Sequence, residues 1–155
     1  MKQFRQLGRK SVLTREQVER PRSILDSFEN PRPDRDYEIR FVFPEFTSLC
    51  PVTGQPDFAT VTVTYVPGER CVEMKSLKLY FFAYRDKGIF YEAVVNQILD
   101  DLVAVLRPRR MTVVGDFAVR GGTAGAVTAT HEEGARRKGA GRGRNGRGRN
   151  SGRLG

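Results

Sequence analysis

Residues 90–106, FYEAVVNQILDDLVAVL, carry the reading on which the fold turns. Phe90, Val94, Ile98, Leu102 and Leu106 recur at every fourth position, and Val95 and Leu99 widen the stripe. That period predicts an amphipathic helix of about five turns, and Pro108 stands just past its end, as helix stops commonly do. Upstream, Leu77 to Tyr84 suits a shorter, largely buried helix closed by Asp86-Lys87-Gly88. Before it the period drops to two. Tyr37, Ile39, Phe41 and Phe43 form one half-buried strand, which Pro44 is expected to end. Ala59, Val61, Val63 and Tyr65, alternating with Thr60, Thr62 and Thr64, form a second that stops at Pro67-Gly68. Cys71–Lys75 reads as a brief extended piece. Beyond the long helix, Met111–Val119 is a third strand, Arg120-Gly121-Gly122-Thr123 a turn, and Ala124–Thr130 a weaker fourth strand. The order β-β-α-α-β-β predicts an α+β fold, an antiparallel four-stranded sheet with two helices on one face.

The flanks differ from this body. Residues 1–36 are polar and punctuated by Pro21, Pro31 and Pro33, and predict a lead-in arm with at most a short helix near Thr14–Arg20. Residues 134–155 hold eight Arg or Lys, eight Gly and no acid, too little apolar surface to fold. The chain's formal charge of +9 therefore sits in the tail, leaving 1–133 at about +1. One catalytic domain over 37–133, between an arm and a disordered tail, is the expected organisation. Two cysteines exclude a disulfide framework. Neither a secretory signal nor an apolar run of membrane-spanning length is visible, so a reducing, cytoplasmic setting is expected.

Cys50 lies in a loop of turn formers, Thr47-Ser48-Leu49-Cys50-Pro51-Val52-Thr53-Gly54-Gln55-Pro56-Asp57. A cysteine in a core is usually a small hydrophobe, a description that suits Cys71 better than Cys50. A nucleophilic cysteine needs access, partial ionisation and a nearby proton-handling group, which Asp57 could supply. Glu92, opening the long helix after Tyr91, either complements the helix dipole or accepts paired hydrogen bonds from a guanine-like edge. Lys75 and Lys78, three residues apart near a helix start, are either a solvated face or a phosphate site. Arg120-Gly121-Gly122 is either a plain hairpin turn or a backbone nest for phosphate. Cys50, Cys71 and His131 have no metal-ligand spacing, so no metal is expected. Neither a P-loop nor a G-x-G-x-x-G run is present.

Two segments, Pro44-Glu45-Phe46-Thr47-Ser48-Leu49-Cys50-Pro51 with Gly54-Gln55-Pro56-Asp57, and Glu73-Met74-Lys75-Ser76-Leu77-Lys78-Leu79-Tyr80, resemble the short, single-domain 7-cyano-7-deazaguanine reductase family of the tunnelling-fold superfamily, which includes GTP cyclohydrolase. The resemblance runs from about Arg35 to Gly122. It implies a tunnelling fold and a reduction of the nitrile to an aminomethyl group for tRNA queuosine, with two NADPH per turnover as co-substrate. By the same resemblance Cys50 is the nucleophile that forms a thioimidate and Asp57 the proton donor. Val72, Glu73, Met74, Tyr91 and Glu92 hold the deazaguanine, Glu92 on its guanine edge, and Lys75 and Lys78 lie toward NADPH. Arg120 joins the two lysines as a cofactor phosphate ligand on local sequence alone. Met74 stands where the family commonly has Ser or Leu, and Tyr91 where it frequently has His. A proton relay must then use Tyr91, Asp57 or water. The resemblance further implies a homo-oligomer with sites between subunits, plausibly two stacked pentamers.

Two other readings compete. A cyclohydrolase-like purine or pterin enzyme would share Glu92 and the fold but needs zinc. An RNA-binding protein would act through the Arg/Gly tail, for which a weak, salt-sensitive RNA contact is in any case the expectation.

Overall fold

The computed structural model describes residues 12–134. The expectations for Met1–Ser11 and for the basic tail after Gly134 lie outside the described residues. The elements are α1 (Arg15–Glu19), a 3-10 turn (Pro21–Ile24), β1 (Ser27–Glu29), β2 (Ile39–Leu49), β3 (Pro56–Val66), β4 (Arg70–Val72), α2 (Met74–Phe82), α3 (Tyr91–Leu106), β5 (Arg110–Arg120) and β6 (Thr123–Glu132). The main sheet has the order β2-β3-β5-β6 and is antiparallel throughout. Its alternation decides its faces. Ala59, Val61, Val63 and Tyr65 of β3 and Met111, Val113 and Phe117 of β5 are buried. The stripe of α3, Val94, Val95, Ile98, Leu99, Leu102 and Leu106, is buried in the same core cluster. An α+β fold of the expected strand and helix order results. No helix among the described residues is long and apolar enough to cross a membrane.

Three local expectations need correction. Pro44 does not end β2. The strand continues to Leu49 through a register shift between Phe43 and Phe46. Pro has no N–H to give a ladder and is tolerated at bulges and edges, and β2 is an outer strand of its sheet. The lead-in reading of 1–36 also changes where the chain is described. Ile24 and Leu25 are buried in the main core, and β1 pairs with β4 in a second, two-stranded sheet. Their burial rests on contacts about fifty residues away, such as the Asp26 N–H donating to Ser76 Oγ at 2.9 Å, so no local period announces it. Finally, the turn closing β5 onto β6 is confined to Gly121-Gly122, with strand on both sides.

Asp101 is a buried acid on α3. Its carboxylate accepts from Tyr80 Oη at 2.9 Å and Gln97 Nε2 at 3.0 Å, and Arg22 lies 4.0 Å away. Burial pushes its acid form up, while Tyr80, Gln97 and Arg22 oppose that. This polar knot ties α2, α3 and the N-terminal turn together away from the Cys50 loop.

Candidate active site

Cys50 is carried on the end of β2, and a second contact sets what it faces. Leu49 N–H donates to Lys87 O at 3.0 Å and Ile89 N–H to Leu49 O at 3.0 Å, a parallel bridge from the strand end to the segment that enters α3. A Cβ at Gly88 would meet Pro51 Cα at 3.3 Å, so glycine permits this approach. The bridge sets the first turn of α3, with Tyr91 and Glu92, beside Cys50. The Cys50 loop closes on itself: Cys50 N–H donates to Gln55 O at 2.8 Å and Gly54 N–H to Cys50 O at 2.9 Å. Gly54 has φ +70°, a left-handed conformation that suits glycine.

One cavity of about 300 Å³ is lined by Cys50, Pro51, Asp57, Ile89, Phe90, Tyr91, Glu92 and Arg120. A neighbouring cavity of about 380 Å³ shares Asp57, Tyr91 and Arg120 with it. Asp57 is the hub. Its side chain is 3% exposed, and Oδ1 accepts from Tyr91 Oη at 2.9 Å and from Arg120 Nη1 at 2.7 Å. Burial, then the Asp57 carboxylate, push the Tyr91 phenol up, so near neutral pH Tyr91 remains a donor. Its ring stacks on Phe117, centroids 3.6 Å apart and planes 10° from parallel, which fixes the hydroxyl's direction. The Cys50 thiol is lowered to about 7, first by the Thr53 hydroxyl, then by the backbone N–H groups of Thr53 and Val52, with Arg120 adding to them against desolvation. A substantial thiolate fraction is therefore present near neutral pH.

Glu92 leaves its carboxylate without a hydrogen bond or ion pair to any described residue, on the rim of the Cys50 cavity. An unengaged carboxylate at a cavity rim can take two parallel N–H donors from a ligand.

The remaining sequence candidates gather elsewhere. Val72 is buried beside β1, and Met74 is half exposed at the start of α2. Glu73 is the N-cap of that helix. Its Oε1 accepts from Lys75 N–H at 2.9 Å and its Oε2 from Ser76 N–H at 2.7 Å. Those bonds engage the Lys75 and Ser76 amides at the start of α2, which are therefore not open to a phosphate. None of Val72, Glu73, Met74, Lys75 and Lys78 lines the Cys50 cavity.

Arg120 lies at the Cys50 loop rather than near the two lysines. Its guanidinium donates to Asp57, to Thr53 Oγ1 at 3.1 Å and to Gln55 Oε1 at 2.9 Å. Contact with the Cys50 sulfur, ahead of Asp57, favours its charged form. Arg120 thus lines the same cavity as Cys50 and Asp57, apart from Lys75 and Lys78. Sequence reasoning passed over Thr53, whose only local signal is its place in the turn after Cys50.

A family model described as QueF-like protein matches residues 56–136. An NADPH-dependent 7-cyano-7-deazaguanine reductase of Anaeromyxobacter sp. (strain Fw109-5) is 60% identical over 114 residues, covering 74% of this chain and 93% of that protein. One of the same name from Magnetococcus marinus is 58% identical over 118 residues, covering 76% and 92%. Among solved structures, the apo form of the archaeosine synthase QueF-Like superposes with a TM-score of 0.58 at 22% identity, covering 64% of this chain and 96% of that one.

Proposed function

The chain belongs to the NADPH-dependent 7-cyano-7-deazaguanine reductase family, and we propose from that premise that Cys50, Asp57, Tyr91 and Glu92 carry out its nitrile reduction in the cavity they share. The protein is an NADPH-dependent oxidoreductase that reduces the nitrile of 7-cyano-7-deazaguanine to the aminomethyl group, a step toward queuosine. Its sheet and helices form the tunnelling fold. The observation that supports the residue assignment is the convergence of a thiol lowered to about 7, an ion-paired carboxylate and an unengaged Glu92 on one cavity.

A nitrile carbon is electrophilic but a poor hydride acceptor. Addition of the Cys50 sulfur to that carbon, with the thiol proton passed by Asp57 to the nitrogen, gives a thioimidate whose protonated C=N accepts hydride more readily. NADPH supplies the hydrides, two equivalents per nitrile. Departure of the Cys50 thiolate after the first reduction leaves an imine for the second, and Asp57 and Tyr91 hold and pass the protons. Glu92 accepts from the N1–H and exocyclic amine of the guanine-like edge.

Lys75 and Lys78 suit the NADPH 2′-phosphate by charge, two ammonium groups one helical turn apart on α2. Val72, Glu73 and Met74, apart from Cys50 within one copy, would face the cavity of a neighbouring copy in a homo-oligomer. Half-exposed Phe58 and Phe90 and largely exposed Val119, which line the Cys50 and Asp57 cavities, are apolar surface of the kind such a contact covers. A cytoplasmic location and a single catalytic domain, which the segment from Ile24 to Glu29 joins and the basic tail follows, complete this reading.

Incubating the full chain with the nitrile and following NADPH absorbance tests the reaction, with two NADPH consumed per amine formed. Glu92→Gln should weaken nitrile binding by about 1–3 kcal/mol, because the amide presents a donor to a donor edge. Calorimetry in a Cys50→Ala background isolates that binding, and equal affinity with and without the Glu92 change would remove Glu92 from the guanine edge. Lys78→Ala should raise the KM for NADPH roughly tenfold while leaving that for NADH almost unchanged, and the effect should shrink as salt rises. Equal effects on both cofactors would assign Lys78 to something other than the 2′-phosphate.

A further inference from the structure

Asp57 has two carboxylate oxygens, and the structure uses them unequally. Oδ1 accepts from both Tyr91 Oη at 2.9 Å and Arg120 Nη1 at 2.7 Å, and no described residue bonds Oδ2. Among the described residues the buried side-chain polar atom left without a partner is Ser48 Oγ. Oδ2 is therefore not sealed in the core, and it opens onto the cavities that Asp57 lines. The guanidinium that holds Oδ1 also reaches the Cys50 loop. Its Nη2 donates to Thr53 Oγ1 at 3.1 Å and to Gln55 Oε1 at 2.9 Å, and Gln55 O accepts from Cys50 N–H. Arg120 follows a register shift in the β5–β6 pairing, between Phe117 and Arg120. Such a bulge bends a strand and redirects the side chains beside it.

We propose that Arg120 is a positioning residue for the proton transfer: it fixes Asp57 Oδ1 and the Cys50 loop on one planar group, which leaves Oδ2 to carry the proton from Cys50 to the nitrile nitrogen. The proposal deepens the reading of Cys50 as nucleophile and Asp57 as proton carrier, and it rests on that reading. The step balances. The Cys50 thiol gives its proton to Oδ2, and a sulfur lone pair forms the C–S bond. One π pair of the nitrile then takes the proton from Oδ2, leaving a C=N–H thioimidate and a carboxylate again. Arg120 stays charged throughout and gives up no proton. A relay of this kind works only within hydrogen-bond reach, about 2.6–3.2 Å. Cys50 follows the end of β2 whereas Asp57 lies at the start of β3, and the rigid fork of one guanidinium bonds both segments.

Two other roles compete, a ligand for the cofactor phosphate and a brace for the loop alone. The rate at which the full chain forms the nitrile adduct on Cys50, followed by mass spectrometry without NADPH, separates all three. Arg120→Met should slow the adduct by roughly a hundredfold, the order of loss when reacting groups are misplaced by about an ångström. Arg120→Lys keeps the charge but replaces the fork with a point donor, and it should be slowed nearly as much. Nitrile affinity, measured by calorimetry in a Cys50→Ala background, should stay close to its starting value in both. In an Asp57→Asn background neither substitution should slow the adduct further, because the effect passes through the carboxylate. A brace for the loop alone would slow Asp57→Asn again by the full factor, and that result overturns the proposal. A wild-type adduct rate in Arg120→Met with a raised KM for NADPH also overturns it, and returns Arg120 to the cofactor. A wild-type rate in Arg120→Lys would show that charge suffices, which removes the positioning role. Failure of the nucleophile reading shows separately, as a wild-type chain that forms no adduct on Cys50, and it would take the proposal down with it.

Discussion

Cys50→Ala should abolish nitrile reduction, and mass spectrometry of wild type incubated with the nitrile, without NADPH, should show one substrate mass added to the Cys50 peptide. The variant should show none. Turnover is lost because only sulfur can add to the nitrile carbon at this position. Binding should persist if Glu92 holds the guanine edge, since Glu92 lines the cavity independently of the thiol. The rate of adduct formation should fall as pH rises beyond about 7, since the proton that Asp57 passes to the nitrogen comes from the Cys50 thiol, whose value is lowered to about 7. Cys71→Ala should remain active. Cys71 is buried and faces the Tyr37 hydroxyl at 3.6 Å, away from the Cys50 cavity. Normal turnover in Cys50→Ala would end the covalent mechanism.

Asp57→Asn should fail in a different way. An amide cannot carry the proton from thiol to nitrogen, and general acid–base groups typically contribute about 10²–10⁴-fold. We therefore expect kcat to fall by at least about a hundredfold, with a much smaller change in nitrile affinity. Asn also cannot ion-pair with Arg120, and the loss of a 3% exposed carboxylate at 2.7 Å from a guanidinium should loosen the loop between Thr53 and Asp57. Single-turnover measurement of adduct formation locates the defect before hydride transfer. A wild-type rate in that step would mean that Asp57 handles only later protons.

Much of this fold was legible because its periods are regular. The fourfold recurrence from Phe90 to Leu106 and the alternation from Ala59 to Tyr65 each reflect one buried face, and each element forms where the pattern lies. What escaped depends on partners far along the chain. Pro44 reads as a stop, yet an outer strand with a shifted register absorbs it. Ile24 and Leu25 are adjacent rather than periodic, and only the β1–β4 pairing and the α2 surface account for their burial. The site divides along the same line. Cys50 and Asp57 are close in sequence, so their joint chemistry shows in one loop. Arg120 invites a phosphate role when seen only with Gly121-Gly122. The pairing of β3 with β5, which begins at Ala59↔Phe117, carries the Arg120 end of one strand to the Asp57 end of the other.

The pairing of β5 with β6 also separates the two ends of the sheet. Arg120 and Thr123 meet at the reacting end, whereas Arg110 pairs with Glu132 at the opposite end. An eleven-residue strand at ~3.4 Å per residue puts about 34 Å between them. For immobilising the enzyme on a bead or electrode, a linker joined beyond Glu132 therefore leaves the thiol accessible to small molecules. One joined at Gly121-Gly122 would sit over the guanidinium and block the entrance.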